Sequence, residues 1–136
     1  MIRYIKKLEL VESRFLIHTE TLPGKTSVYV PYFIPWVKVE IVGLASMEVT
    51  EEVSDGMRKY TSKVAATLEK RLPHRSEPVA LRLTDVEGNK YLLGTYEKPY
   101  PVITQEDKYA GKANEQSACT FNATLTGSYP ACVIRN

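Results

Sequence analysis

Long apolar runs are missing from this sequence of 136 residues. No stretch approaches the roughly 20 apolar residues that a membrane-spanning helix needs. The first residues are basic, but Glu9 and Glu12 interrupt the region where the apolar core of a signal peptide would lie. We therefore predict neither a signal peptide nor a membrane segment, and we expect the protein to act in the cytoplasm of the producing cell or in a particle assembled there.

Cysteine and histidine are scarce, with two residues of each. Two cysteines and two distant histidines do not provide the ligand spacing of a zinc site. In a reducing compartment, Cys119 and Cys132 are expected to be small buried apolar residues. A disulfide between neighbouring strands is the alternative interpretation.

Motifs for catalysis and for cofactor binding are also missing. No serine has the glycine-flanked setting of a hydrolase nucleophile, and Gly88 and Gly94 form no dinucleotide fingerprint because no helix follows them. Asp85 and Glu87 lie next to a turn, where an aspartate usually accepts hydrogen bonds from nearby backbone amides. We predict that the protein is not an enzyme, binds no metal and uses no cofactor.

The charge is nearly balanced, since 18 Lys and Arg against 16 Asp and Glu leave a formal net charge of +2. A nucleic-acid-binding domain usually has a much stronger basic excess. A modest basic cluster contains Arg58, Lys59, Lys63, Lys70, Arg71, His74 and Arg75. We interpret this cluster as a solvated face that also includes Glu69 and Glu77, and contact with nucleic acid is the alternative.

The clearest structural pattern that is present is a β-hairpin over residues 79–95. Apolar residues alternate over residues 79–84, and residues 90–95 form a second strand-like segment. Gly88 and Asn89 between them tolerate the positive φ that a tight turn requires.

Other segments indicate a mainly β protein. Residues 37–42 alternate cleanly, and Ile2, Tyr4, Leu8 and Leu10 could share one face of a first strand. Residues 15–19 predict a second strand, and residues 51–56 predict a polar turn.

Residues 57–72 fit helical spacing and strand spacing almost equally. We favour a strand there and keep one helix as the alternative. The sequence predicts a single-domain β-sandwich or small barrel over residues 1–136, with about seven to nine strands and a mobile loop at residues 105–117. The predicted core residues are Val39, Ile41, Leu81, Leu83 and Leu93.

Tyrosine dominates the aromatic residues, with nine Tyr against three Phe and one Trp. Two proline-aromatic stretches contain Tyr32, Phe33, Trp36, Tyr96 and Tyr100. Proline removes a backbone donor, so these stretches are expected at edges, bulges or extended loops. Because large aromatic side chains are more often buried than displayed, we expect the first stretch to cover one end of the core. The alternative is that the five aromatics form an exposed surface that contacts a partner, a peptide or a sugar.

Residues 81–102, followed by a polar loop and the closing stretch 119–130, resemble small β-rich structural proteins of phages and prophages of the Bacteroides type. The shared features are a strand, an acidic turn with Gly, a second strand ending in Leu-Gly, a proline-aromatic segment and a terminal strand. The resemblance implies a neck or tail component of a virion, such as a head–tail connector, assembled in the bacterial cytoplasm. It implies homo-oligomers in a ring or tube, contacts with other virion proteins and no enzyme activity.

Overall fold

The structure is a computed structural model that describes residues 2–21, 27–73, 76–97, 99–108, 118–128 and 130–135. It confirms a mainly β fold, with eleven strands and one short 3₁₀ helix in these residues, more strands than the sequence predicts. The strands are β1 (Ile2–Glu12), β2 (Glu20–Thr21), β3 (Ser27–Tyr29), β4 (Val37–Val39), β5 (Ala45–Ser54), β6 (Met57–Leu68), β7 (Val79–Asp85), β8 (Lys90–Leu93), β9 (Val102–Lys108), β10 (Ala118–Gly127) and β11 (Cys132–Ile134).

All eleven strands belong to one hydrogen-bonded sheet. Ten of them follow the order β2-β3-β11-β8-β7-β1-β5-β6-β10-β9, and β4 pairs with β1 outside this path. β1 joins the two halves of the sheet, because it pairs with β7 on one side and with β5 and β4 on the other. Side chains of β1, β7 and β8 pack against side chains of β6 and β10, so the sheet folds over itself as in a β-sandwich.

Two apolar clusters lie on opposite faces of β1, β7 and β8, because alternate residues of a strand point to opposite faces. The cluster between the two halves of the sheet, here called the inner core, contains Leu83 and Phe121, both fully buried. The cluster on the other face, here called the outer core, contains Ala80 and Leu92. It is covered by Leu16 of the 3₁₀ helix and by residues 30–36, which connect β3 to β4.

The predicted core residues fall in the inner core. Leu81, Leu83, Leu93 and Val39 are buried there, and Ile41 is partly buried against it. The prediction is confirmed for the four buried residues, and in part for Ile41. The alternation of the 79–95 hairpin assigns the correct face to its three leucines.

A β-bulge at Lys6 explains the imperfect alternation of β1. One step along β7 corresponds to two steps along β1 at this point, so Lys6 is an extra residue. The bulge changes which residues of β1 point into the inner core, from odd-numbered residues before Lys6 to even-numbered residues after it. Ile5 and Leu8 are therefore both buried, while Ile2 and Tyr4 are exposed. The expectation that Ile2 and Tyr4 share a buried face with Leu8 is therefore wrong.

Residues 57–68 form a strand, and the alternative of a helix over residues 57–72 is wrong. β5 also extends to Ser54, so the turn predicted over residues 51–56 is reduced to Asp55 and Gly56. Both turn residues have positive φ, which gives the twist that a two-residue hairpin needs.

Two other segments differ from the prediction. Ser13–Leu16 forms a 3₁₀ helix where a strand was expected over residues 15–19, because the chain turns after β1 and places Leu16 over the outer core. Residues 105–108 belong to β9 and are not part of a loop. The remainder of the predicted 105–117 loop lies outside the described residues. Among those residues, no helix has the length and hydropathy needed to cross a bilayer.

Candidate interaction surface

Tyr32 and Phe33 project from the connection between β3 and β4, and we call this pair the aromatic knob. Tyr32 is 96% exposed and Phe33 is 63% exposed. Their rings meet edge to face, with centroids 6.0 Å apart and planes at 79°. The expectation that this stretch covers the core is therefore wrong for both residues.

The residues that flank the knob hold it in place. Val30 before it and Ile34 after it are buried in the outer core. Pro31 and Pro35 restrict the backbone on both sides, since proline fixes φ. The Trp36 amide donates to the Ile34 carbonyl at 2.9 Å. The knob is therefore a fixed projection with two anchored ends.

Trp36 has a different role from the knob, because it is partly buried and packs against the outer core. The Arg82 guanidinium lies 4.7 Å from the centre of its ring, within the range of a cation–π contact. Arg82 also donates two hydrogen bonds to the buried carboxylate of Glu9, at 2.9 and 2.6 Å. Trp36 thus secures the connecting segment to the sheet, and one face of its ring is occupied by Arg82.

Tyr96 and Tyr100 lie together after β8. The Tyr100 hydroxyl donates to the Tyr96 carbonyl at 3.0 Å. The Thr95 hydroxyl donates to the Glu97 carbonyl at 3.0 Å and accepts from the Glu97 amide at 3.3 Å. These bonds tie Thr95 to Glu97 and Tyr96 to Tyr100, and the Tyr96 side chain remains 43% exposed.

Gly94 sets the direction in which the chain leaves β8. Its φ is +96°, which residues with a side chain rarely adopt. A Cβ at this position would lie 2.8 Å from Cδ of Pro101 and 3.4 Å from the backbone of Ala80. The position of Tyr96 therefore depends on a glycine that the close approach of Pro101 requires.

A pocket of about 400 Å³ opens where β8 and β10 end, and we call it the end pocket. Its lining includes Leu16, Ile17, Thr19, Tyr96, Leu125 and Ser128. The lining combines aliphatic groups, one aromatic ring and hydroxyls. Oγ1 of Thr19 is buried and has no hydrogen-bond partner within the described part of the chain.

A second pocket of about 400 Å³ shares Tyr96 and Glu97 with the end pocket. It is lined also by Ser13, Arg14 and Tyr100. The structure thus brings Tyr96 and Tyr100 together at a pair of pockets. Tyr32, Phe33 and Trp36 line neither of them, so the five predicted aromatics do not form one surface.

Asp85 has the turn role that the sequence predicts. Its carboxylate accepts from the backbone amides of Glu87 and Asn89, both at 2.9 Å, and from the Tyr91 hydroxyl at 3.2 Å. Burial raises the pKa of Asp85, but the hydrogen bonds from Asn89, Glu87 and Tyr91 outweigh burial and hold the pKa below its ordinary value. The same burial raises the pKa of Tyr91.

The described residues contain no group of three or more His, Cys, Asp or Glu that could hold a metal ion. Cys119 lies in the inner core and Cys132 in the outer core, so both are buried, as expected. Burial also raises the pKa of the Cys132 thiol.

Residues 49–59 of β5 and β6 form a two-stranded arm, because β1 pairs with β5 only at residues 45–48 and β10 pairs with β6 only at residues 60–68. Along β6, Arg58 points to one face, while Lys59 and Lys63 point to the other. Arg58 binds Glu51 at 2.8 Å, and Lys59 pairs in register with Glu52. The basic residues of β6 therefore do not form a uniform basic face, and His74 and Arg75 lie outside the described residues.

Comparison with family models, with curated proteins and with solved structures finds no match for this chain. Function must therefore be inferred from the surfaces.

Sequence patterns identified the aromatics but missed the end pocket, whose lining comes from three separate segments of the chain. The only local signal of the end pocket in the sequence was Gly94 followed by a proline-aromatic stretch.

Proposed function

We propose that the protein is a structural subunit that self-associates and acts through surface contacts, without catalysis. The observation that carries this proposal is the aromatic knob. Two large aromatic rings are exposed to solvent between residues that are buried on both sides. In the isolated chain these rings therefore bury little apolar surface. Rigid aromatic anchors of this kind supply much of the energy of protein interfaces, and their fixed position reduces the entropic cost of binding.

We further propose that the assembly is a ring or tube in the neck or tail of a phage particle. This assignment rests on the likeness of residues 81–102 and 119–130 to phage and prophage structural proteins. The partners are then other copies of this chain and neighbouring virion proteins. A repeated contact between two different patches closes into a ring when its rotation permits, and otherwise extends as a tube.

A carbohydrate- or peptide-binding module is the second candidate, and the end pocket with its exposed Tyr96 favours it. Two observations weigh against a sugar platform at the knob. The rings of Tyr32 and Phe33 are nearly perpendicular, so they present no continuous flat surface. The ring of Trp36 is stacked against Arg82.

Electron microscopy of the purified protein, and of particles from its source, tests the proposal. Rings or tubes of the purified protein, and its density in a neck or tail, are the expected result. A protein that remains monomeric at high concentration and is missing from particles would refute it. Isothermal titration calorimetry with oligosaccharides distinguishes the second candidate from a structural subunit. A structural subunit should show no heat of binding.

A further inference from the structure

We infer that the aromatic knob of one copy inserts into the end pocket of a neighbouring copy. This inference rests on the proposed self-association and identifies the two surfaces that meet. The knob is Tyr32 and Phe33, and the pocket is the cavity beside Tyr96 at the ends of β8 and β10.

The chemistry of the pocket matches a tyrosine side chain. Leu16, Ile17 and Leu125 provide aliphatic surface for a ring, and Tyr96 provides an aromatic wall. Ser128, which is exposed in the same lining, provides a hydroxyl that can hydrogen-bond to a phenol hydroxyl.

The size of the pocket is also suitable. Its volume of about 400 Å³ falls at the lower end of the roughly 300–1,000 Å³ typical of pockets that enclose small organic ligands. One or two aromatic rings therefore fit, whereas a folded element does not. The knob carries no charged side chain, and among the described residues that line the pocket Glu97 is the only charged one.

Both surfaces are already held in position. The knob is fixed by Val30 and Ile34 in the outer core. The pocket wall at Tyr96 is fixed by the hydrogen bonds of Thr95 with Glu97 and of Tyr100 with Tyr96, and by the close approach of Gly94 to Pro101. Little conformational entropy is lost when such surfaces meet.

The positions of the two patches determine the type of assembly. The knob projects from the segment that covers the outer face of β1, β7 and β8, while the pocket opens at the ends of β8 and β10. The knob and the pocket are different patches, so each copy can offer its knob to one neighbour and its pocket to another. Such a head-to-tail contact produces rings or filaments, whereas reciprocal insertion of two knobs into two pockets would produce a closed two-fold dimer.

Mixing two complementary variants tests this inference. The first variant, Tyr32→Ala with Phe33→Ala, has lost the knob and keeps the pocket. The second, Ile17→Asp, places a charge in the pocket at an exposed residue and keeps the knob. We expect each variant alone to associate more than about tenfold more weakly than the wild type, and the mixture to form a one-to-one complex with a single intact contact.

Tyr4→Ala is the matched control, because Tyr4 is an exposed aromatic residue outside both patches. It should assemble as the wild type does. Circular dichroism and thermal unfolding establish that each variant is folded. If the wild type assembles but both variants also assemble, or if the mixture forms no complex, the knob-and-pocket contact is refuted while self-association stands. A monomeric wild type refutes the proposed function itself.

A photocrosslinking measurement gives a second readout that does not depend on loss of assembly. A benzophenone amino acid replaces Tyr32, and the protein is mixed with a copy labelled with ¹⁵N. Crosslinks from position 32 to residues 16–19 or 94–99 of the labelled copy are expected. Crosslinks to Tyr32 or Phe33 of the other copy would indicate a knob-to-knob contact and overturn the inference, and so would crosslinks only to other parts of the labelled copy.

Discussion

Glu9 and Arg82 form an ion pair on the outer face of the sheet, in which the Glu9 side chain is 8% exposed and the Arg82 side chain, beside Trp36, is 22% exposed. Removal of the Glu9 carboxylate deprives the partly exposed Arg82 guanidinium of two charge-assisted hydrogen bonds, which costs about 1.5–3 kcal/mol. We therefore expect Glu9→Ala to lower the free energy of unfolding by an amount of this order, measured by urea denaturation. The matched control is Glu51→Ala, which removes an exposed pair with Arg58 and should cost less than about 1 kcal/mol. Equal costs for the two variants would contradict this account.

Asp85 gives a second prediction at the residue scale, on the pH dependence of stability. Its pKa is lower in the folded state than the value of about 3.9 in an unfolded chain. Its contribution to stability is therefore complete above that value and is lost as the pH falls through the folded-state pKa. Hydrogen bonds to a charged group contribute about 1.5–3 kcal/mol, so Asp85→Asn should be less stable than the wild type by this order at neutral pH.

The stability difference between wild type and Asp85→Asn should shrink below about pH 4, because the wild-type carboxylate becomes protonated. Chemical denaturation at several pH values measures this difference directly. The other carboxylates are common to both proteins and cancel in the comparison. A difference that stays constant as the pH falls would show that the charge of Asp85 does not stabilise the turn.

A comparison of Gly88 with Gly94 distinguishes the cost of backbone strain from the cost of a steric clash. Gly88 and Gly94 have φ of +94° and +96°. An added Cβ meets open space at Gly88 but lies 2.8 Å from Pro101 at Gly94. Alanine at Gly88 should cost about 1–2 kcal/mol from the left-handed conformation alone. Alanine at Gly94 should cost about 1–3 kcal/mol more, since overpacking adds to that strain. Thermal unfolding of both variants measures the difference, and similar losses would contradict the assigned contact.

At the scale of elements, the β7–β8 hairpin is the part of the fold that local pattern predicts best. Leu83 lies fully buried in the inner core, so Leu83→Ala should cost about 2–5 kcal/mol in urea denaturation. Val86 in the same hairpin is exposed, and Val86→Ala should change stability by less than about 0.5 kcal/mol. A cost near zero for Leu83→Ala would mean that the inner face of β7 is wrongly assigned.

Other elements depend on pairing partners that local pattern does not reveal. The bulge at Lys6 reverses the buried face of β1, and only the register with β7 shows it. Ser13–Leu16 forms a 3₁₀ helix, although residues 15–19 are suited to a strand. The helix lets Leu16 bury its side chain over the outer core. Residues 51–54 looked like a turn, but they are extended because they pair in register with residues 57–60 of β6.

At the scale of the whole molecule, composition and alternation predicted a mainly β sandwich, which is confirmed. The exposure of Tyr32 could not be predicted, because it depends on where Val30 and Ile34 find buried positions. The end pocket could not be predicted either. It forms where the chain after the 3₁₀ helix, the turn after β8 and the end of β10 meet, and these segments are far apart in the sequence.

The central claim is that copies of this chain associate through the aromatic knob, and sedimentation velocity over a range of protein concentrations tests it most directly. The wild type and Tyr4→Ala should sediment faster as the concentration rises, and the variant with Tyr32→Ala and Phe33→Ala should remain a monomer throughout. A wild type that stays monomeric, or a knobless variant that associates as strongly as the wild type, would contradict the claim.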